Sequence, residues 1–521
     1  MKQELHADIA VIGGGLGGFA AALAAASMGK NVILTEETEW IGGQVTSQGV
    51  PPDEHPWIET AGCTRTYRQF RDGVRNYYRS HFPLTEDARS ARHLNPGSAS
   101  VSRISHEPRT ALAVLTQMAA PYVHSGRLVI LLRHMANSVE TEGDSIRSVT
   151  VRCLESGDLL TIVAPYVLDA TECGDLLPMA GAEYVTGAES REQTGEPHAL
   201  EGAPNPMDMQ AITHCFAVDY REGEDHTIGK PADYAFWRSY RPDFWPAPMF
   251  DWIGPHPVTH AARQYSLFPE KDAYCLFNYR RIADKSHFIA GTYESDITVV
   301  NWPQNDYFLG PIIDVSEAEK ARHLEGAKQL SLSLLYWMQT EAPRPDGKIG
   351  YPGLRLRKDV FGTPDGLAKY PYIRESRRIK AEFTVIEQHV TAPFHSDGRA
   401  ETFADSVGIG YYAIDLHPST GNRHYIHFSP LPFQIPLGSL IPIRMDNLLA
   451  ACKNIGTTHI TNGCYRLHPV EWNIGESAGL LAAFCHERNV RPRAVRNDAE
   501  LLESFQQLLV KQGIGLAWEP R

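Results

Sequence analysis

The chain has 521 residues, 43 % of them apolar and 21 % charged. It is too long for one small core and is composed like a soluble globular protein of two packed domains. A formal net charge of −13 excludes an extended nucleic-acid surface and any general attraction to an anionic membrane. The eight cysteines form neither C-x-x-C nor a zinc-ligand spacing, so no disulfide-exchange centre and no metal site are expected.

The N-terminus runs into a strand pattern without a secretory apolar region, which predicts a cytoplasmic protein with no membrane partner. Residues 9–12 are an apolar strand run. Gly13, Gly15 and Gly18 follow as G-x-G-x-x-G, then a small-residue helix pattern, then a second apolar run closed by Glu36. That order suits a dinucleotide. Gly13 allows the sharp turn, Gly15 lets backbone approach the diphosphate, Gly18 lets helix and sheet pack closely, and Glu36 can accept from ribose hydroxyls. Trp40-Ile41-Gly42-Gly43-Gln44 then opens a loop passing near the ligand. Helices are predicted over 64–82 and from Pro108 to about 123. Residues 128–132, 146–151 and 159–164 read as a three-stranded meander, and 166–171 as a buried parallel strand.

From about 190 to 435 the chain is rich in Pro and aromatic residues, among them Trp237, Trp245, Phe250 and Trp252. These read as a domain core, or as a stacking surface for a sugar or planar substrate. A long amphipathic helix is predicted over 317–341, and strand-like alternation over 408–434. Residues 447–452 read as a buried strand and 453–472 as a loop. A small-residue helix then opens around Gly475, and a last amphipathic helix covers 499–511.

The first 36 residues suit NAD and FAD equally. The interrupting meander, and a strand and helix returning far down the chain, favour the longer ligand. A helix N-terminus at 475–479 would face a flavin's pyrimidine edge and stabilise negative charge there on reduction. The segments IGGGLGGFAAALAAASMGKNVILTEE, WIGGQVTSQG, YVLDATECGDLLPMAGAEYVTGAESREQTGE and NLLAACKNIGTTHI with GESAGLLAA resemble the FAD-dependent oxidoreductase family within the glutathione-reductase-type flavoproteins. The resemblance implies bound FAD and an α/β fold. A Rossmann-like FAD-binding domain with a β-meander insertion would span 1–205 and 436–490, with an inserted α+β substrate domain at 206–435 and a C-terminal helix at 491–521. It places Gly13, Gly15, Leu16 and Gly18 at the diphosphate and Glu36 and Glu37 at the ribose. Gly42, Gly43 and Gln44 come near the cofactor, and Met135 or Ala136 at the adenine. Ala170, Thr171 and Gly456 flank it, and Gly475, Glu476, Ser477 and Ala478 cap its reactive end. Many relatives read Gly where this chain has Glu172.

A flavin carries the redox chemistry, while protein groups position substrate and move protons. The stretch between the last strand and the capping helix offers His459 and His468 as bases and Arg466 as a clamp for carboxylate or phosphate. Arg466 could instead pair with Glu471 or Glu476. Arg374–Arg378 could present one face to the site or lie solvated, and Cys63 or His55 are candidates for covalent flavin attachment. The reading is an oxidoreductase passing hydride from a small polar metabolite to flavin, with oxygen or a soluble acceptor taking the electrons. A monooxygenase acting on an aromatic or natural-product substrate is the alternative. A flavin-binding RNA-modification or assembly protein is a third reading, opposed by the acidic balance.

Overall fold

The computed structural model describes residues 3–519. The apolar strand Ile9–Ile12 and the strand Val32–Glu36 pair in parallel, with Ile9 beside Val32 and Ile12 beside Thr35. The helix Leu16–Ser27 crosses between them. Tyr166–Asp169 pairs on the other side of Ile9–Ile12, and Leu448–Ala450 pairs with Tyr166–Asp169. The resulting five-stranded parallel sheet is finished at its far edge by Leu128–Leu132.

That edge strand corrects the expected meander. Leu128–Leu132 follows the helix Pro108–His124, and such a crossover delivers a parallel strand rather than a hairpin. The antiparallel run consists instead of His134–Glu142, Ser145–Cys153 and Leu159–Val163, with Gln3–His6 added in parallel at its edge. His134–Glu142 reads as polar (HMANSVETE), and its burial is slight, so alternation gave no signal there.

The glycine-bearing helix Leu16–Ser27 is buried along nearly its whole length and packs on the helix His468–Arg488. A second, antiparallel sheet has the order Arg281–Ala283, Ile297–Val300, Phe216–Tyr220, Leu354–Leu356. The long helix Glu317–Thr340 buries Leu330, Leu334 and Trp337 in the same cluster as Phe216 and Val218. Trp237, Phe250 and Trp252 join that core, so most of the aromatic run is spent on packing. The stretch from Ile379 to Ile441, by contrast, contributes Val385, Val407 and Ile435 to the core of the parallel sheet. Among the described residues no helix is long and apolar enough to cross a membrane.

Candidate functional site

The three fingerprint glycines meet three different constraints. Gly13 has φ +103°, and a Cβ there would fall 2.2 Å from the Ala170 carbonyl oxygen. A Cβ at Gly18 would fall 1.9 Å from Gly13 O. Over Gly15 the nearest atom to such a Cβ is Oε1 of Glu172, at 2.5 Å, so the cover there is a side-chain carboxylate rather than backbone. Gly15 is the N-cap of the helix and no side chain caps it. Leu16 is buried in the first turn, and the Gly17 N–H donates to Glu471 at 3.2 Å.

Glu36 accepts from Gly14 N–H (3.1 Å), Thr38 N–H (2.8 Å) and Thr38 Oγ1 (2.7 Å). Burial pushes its carboxyl up to about 8, and that of Glu37 up to about 7. Gly13, Gly15, Glu36, Glu37, Ala170, Thr171 and Tyr370 line one cleft. Lys453 is buried between Glu172 and Glu471; burial would lower its ammonium, but the two carboxylates outweigh this and hold it above its usual range.

Gly42 and Gly43 have φ +103° and +47°, and a Cβ on Gly43 would lie 2.8 Å from Gly15 Cα. The loop therefore closes directly on the glycine turn. Gln44 is fully buried; its amide donates to Glu471 and to Arg466 O (3.0 Å), and its Oε1 accepts from Tyr372 (3.2 Å). Ala136 is buried in its strand, in register with Val151. Gly456 packs on another segment: its N–H donates to Ser439 O at 2.8 Å and a Cβ there would meet Ala381 at 2.5 Å.

The capping helix starts earlier than expected. The stretch 453–472 contains the helix His459–Tyr465 and the start of His468–Arg488, with Pro469 in its first turn, a position proline favours. Gly475 and Gly479 lie inside that helix, and Cβ atoms there would fall 1.9 Å from Gly17 O and 2.2 Å from Ala21 O. Both are contact glycines of a helix pair. Glu476 accepts from Thr66 (2.6 Å), Ser477 donates to Val407 O (2.8 Å) and Ala478 is wholly buried. The terminus at this helix's start belongs to His468–Glu471 instead.

The proton-handling candidates also move. His468 accepts from Asp53 N–H through Nδ1 (3.0 Å) and donates to Val50 O through Nε2 (3.2 Å). Burial pushes it down to about 4, so it is a neutral structural ring with both nitrogens engaged. His459 is buried with Nδ1 3.0 Å from both oxygens of Glu375, which also pairs with Arg378. Arg374, Glu375 and Arg378 are therefore interior, not a solvated face; Arg374 pairs with Asp306 at 2.9 Å. Arg466 joins neither Glu471 nor Glu476. It donates to Tyr372 Oη (3.1 Å) and Asp415 O (2.8 Å), with the Asp415 carboxylate at 3.6 Å. Burial pushes the Cys63 thiol up to about 11, against a reactive thiolate. His55 bonds Gly62 O at 3.0 Å.

A pocket of about 240 Å³ escaped the sequence reading. Its walls are aromatic (Tyr265, Tyr274, Tyr279, Trp302, Tyr412, Tyr425), and Arg263, Arg280, Asp415, His417 and His427 also face it. Asp415 and His427 are directly paired across the hairpin Ile414–Leu416/Ile426–Phe428, and His427 Nδ1 lies 2.8 Å from Asp415 Oδ1. His417 Nδ1 lies 2.6 Å from Asp306 and its Nε2 3.6 Å from Asp415. Burial would raise the Asp415 carboxyl, but the two histidines hold it well below the usual carboxylate range. Burial would likewise depress His427, but Asp415 outweighs it and raises the imidazole above its usual value. The clue was D-x-H with a second His on the return strand; the nine residues between His417 and His427 hid the register.

Hydrogen bonds join cleft to pocket: Gly17 to Glu471, Glu471 to Gln44, Gln44 to Tyr372, Tyr372 to Arg466, Arg466 to Asp415. Among the described residues no cluster of three His, Cys, Asp or Glu could hold a metal ion.

A family model described as FAD dependent oxidoreductase matches residues 8–509. No curated protein matches the chain. Among solved structures it is similar to L-proline dehydrogenase from P. horikoshii, at 18 % identity over 37 % of this chain and 26 % of that one, with a TM-score of 0.19. It therefore spans about a quarter of that protein's length. It is similar to the myxobacterial chondrochloren halogenase at 12 % identity, over 97 % and 79 % of the two chains, TM-score 0.35. It is also similar to a geranylgeranyl bacteriochlorophyll reductase-like protein from Thermoplasma acidophilum at 11 % identity, over 98 % and 85 %, TM-score 0.31.

Proposed function

Because the chain belongs to the FAD-dependent oxidoreductase family, we propose that it oxidises a hydroxyl-bearing small molecule held in the pocket of Asp415 and His427. The cleft's chemistry suits FAD: a glycine turn covered by a side-chain carboxylate, and a buried acid, Glu36, that gains from hydroxyl donors. Gly13, Gly15, Leu16 and Gly18 would carry the diphosphate, with Glu172 swinging aside and Lys453 left to face the phosphate charge. Glu36 would take the ribose, while Glu37, Gly42, Gly43, Gln44, Ala170 and Thr171 would flank the cofactor. FAD, when bound, supplies the two-electron acceptor for a hydride.

The observation that carries this reading is the Asp415–His427 pair at 2.8 Å on the pocket wall. Asp415 occupies Nδ1 and fixes the tautomer, leaving Nε2 as the nitrogen that receives a proton. As the carbinol carbon loses its hydride, its hydroxyl proton passes to Nε2 and a carbonyl forms. Asp415 stabilises the resulting imidazolium, and oxygen or a soluble acceptor removes the electrons afterwards.

His427→Asn tests the assignment. The expected result is an unchanged flavin spectrum with kcat lowered by about 10²–10⁴-fold, the usual worth of a positioned acid–base group. The native kcat/KM should climb with pH through a value above 6.5, because the base works unprotonated, and the variant should lose that limb. Undiminished turnover in the variant would remove His427 from the mechanism. The aromatic walls favour a second reading, hydroxylation of an aromatic substrate. Product formed under ¹⁸O₂ separates the two: label in the product indicates hydroxylation, and unlabelled product with equimolar peroxide indicates oxidation.

A further inference from the structure

The pocket's unmet hydrogen-bonding demand is one-sided. Arg280 Nε, Asn301 Nδ2 and Trp302 Nε1 are buried donors without an acceptor among the described residues, and all three residues line the pocket. They are 6 %, 4 % and 1 % exposed. Buried polar groups of this kind are ordinarily satisfied, and this surplus of donors behind the pocket wall makes its surroundings electropositive. Asp415, the carboxylate among the pocket's lining residues, is already committed to His417, His427 and Arg466.

Charge points the same way. The Arg280 guanidinium is held by both oxygens of Asp53, at 2.9 and 3.2 Å. Arg263 is not held in this way: among the described residues no carboxylate lies within ion-pair distance of it. Its guanidinium sits 4.0 Å from the ring centroid of Tyr274 and 5.5 Å from that of Tyr265, which orients the plane while leaving its edge for a ligand. One uncommitted cation matches one negative charge. A phosphate dianion would leave charge unbalanced beside Asp53, Asp306 and Asp415.

We infer that the pocket recognises a carboxylate-bearing, ring-shaped substrate, with Arg263 receiving the carboxylate and the tyrosines stacking on the ring. This rests on the pocket being the substrate site proposed above. The ring could be a sugar or an arene, since both stack on aromatic faces.

The FAD-loaded full-length protein is titrated calorimetrically with two matched pairs: D-glucuronate against D-glucose, and 4-hydroxybenzoate against 4-hydroxybenzamide. In at least one pair the acid should bind tenfold or more tightly than its neutral partner, and which pair responds identifies the ring class. Arg263→Gln should abolish that preference and Arg263→Lys keep part of it, with the flavin spectrum unaltered. Equal binding of acid and neutral partner in both pairs, or a preference that survives Arg263→Gln, would overturn the inference. The same titration of His427→Asn separates the two readings: carboxylate preference there with unchanged turnover would defeat the base and leave the anion site standing.

Discussion

Asp415 decides how His427 behaves. A buried imidazole whose ring bonds only backbone groups is pushed toward the neutral form, as at His468, which sits at about 4. Asp415 reverses that sign at His427. Asp415→Asn should therefore move the rising limb of kcat/KM to lower pH. It should also destabilise the protein by about 3–5 kcal/mol, the usual cost of removing one partner from a buried charge cluster, read from the urea midpoint. The linked stability has a definite sign: a raised imidazole contributes fully below about 6.5 and loses its contribution as pH climbs through its folded value. In Asp415→Asn that pH-dependent share should vanish.

At the scale of elements, the decisive contact is between the helices Leu16–Ser27 and His468–Arg488. Gly475 and Gly479 let one backbone rest on Gly17 and Ala21 of the other, which brings the start of the second helix, with Glu471, against the glycine turn. A methyl group at 475 cannot be absorbed by a side-chain rotation, because the obstacle is backbone. Gly475→Ala should cost about 1–3 kcal/mol as an overpacking change, or more, and should weaken FAD retention. A urea midpoint equal to that of the native protein would show that the seam tolerates separation.

For the whole molecule, pH stability carries the mark of the nucleotide cleft. Glu36 is held at about 8 by burial, well above the ordinary carboxylate value of about 4.3. The folded state thus binds this proton more tightly than the unfolded one, so stability is fullest below the ordinary value and falls as pH rises toward 8. Glu36→Gln removes the titration. Without FAD, the variant should gain on the native protein steadily between about pH 4.5 and 8 in thermal melts. A difference between the two that stays flat with pH would show that Glu36 is ionised without penalty.

The sequence alone determined the glycine turn, its acid, the flanking strands and helix, and through them the α/β class and the cleft at the glycine turn. Each depends on backbone conformation within some thirty residues, which local residue types dictate. Pro469, in the first turn of His468–Arg488, is an equally local sign of where the last long helix starts. Tertiary structure decided everything that depends on partners. His468 and His459 look like bases in the chain and prove to be buried against backbone and Glu375, while His427 acquires its character from Asp415 across a hairpin. Arg263 stands out because, among the described residues, no carboxylate lies within ion-pair distance of it, a property of three-dimensional neighbours that spacing along a chain cannot encode.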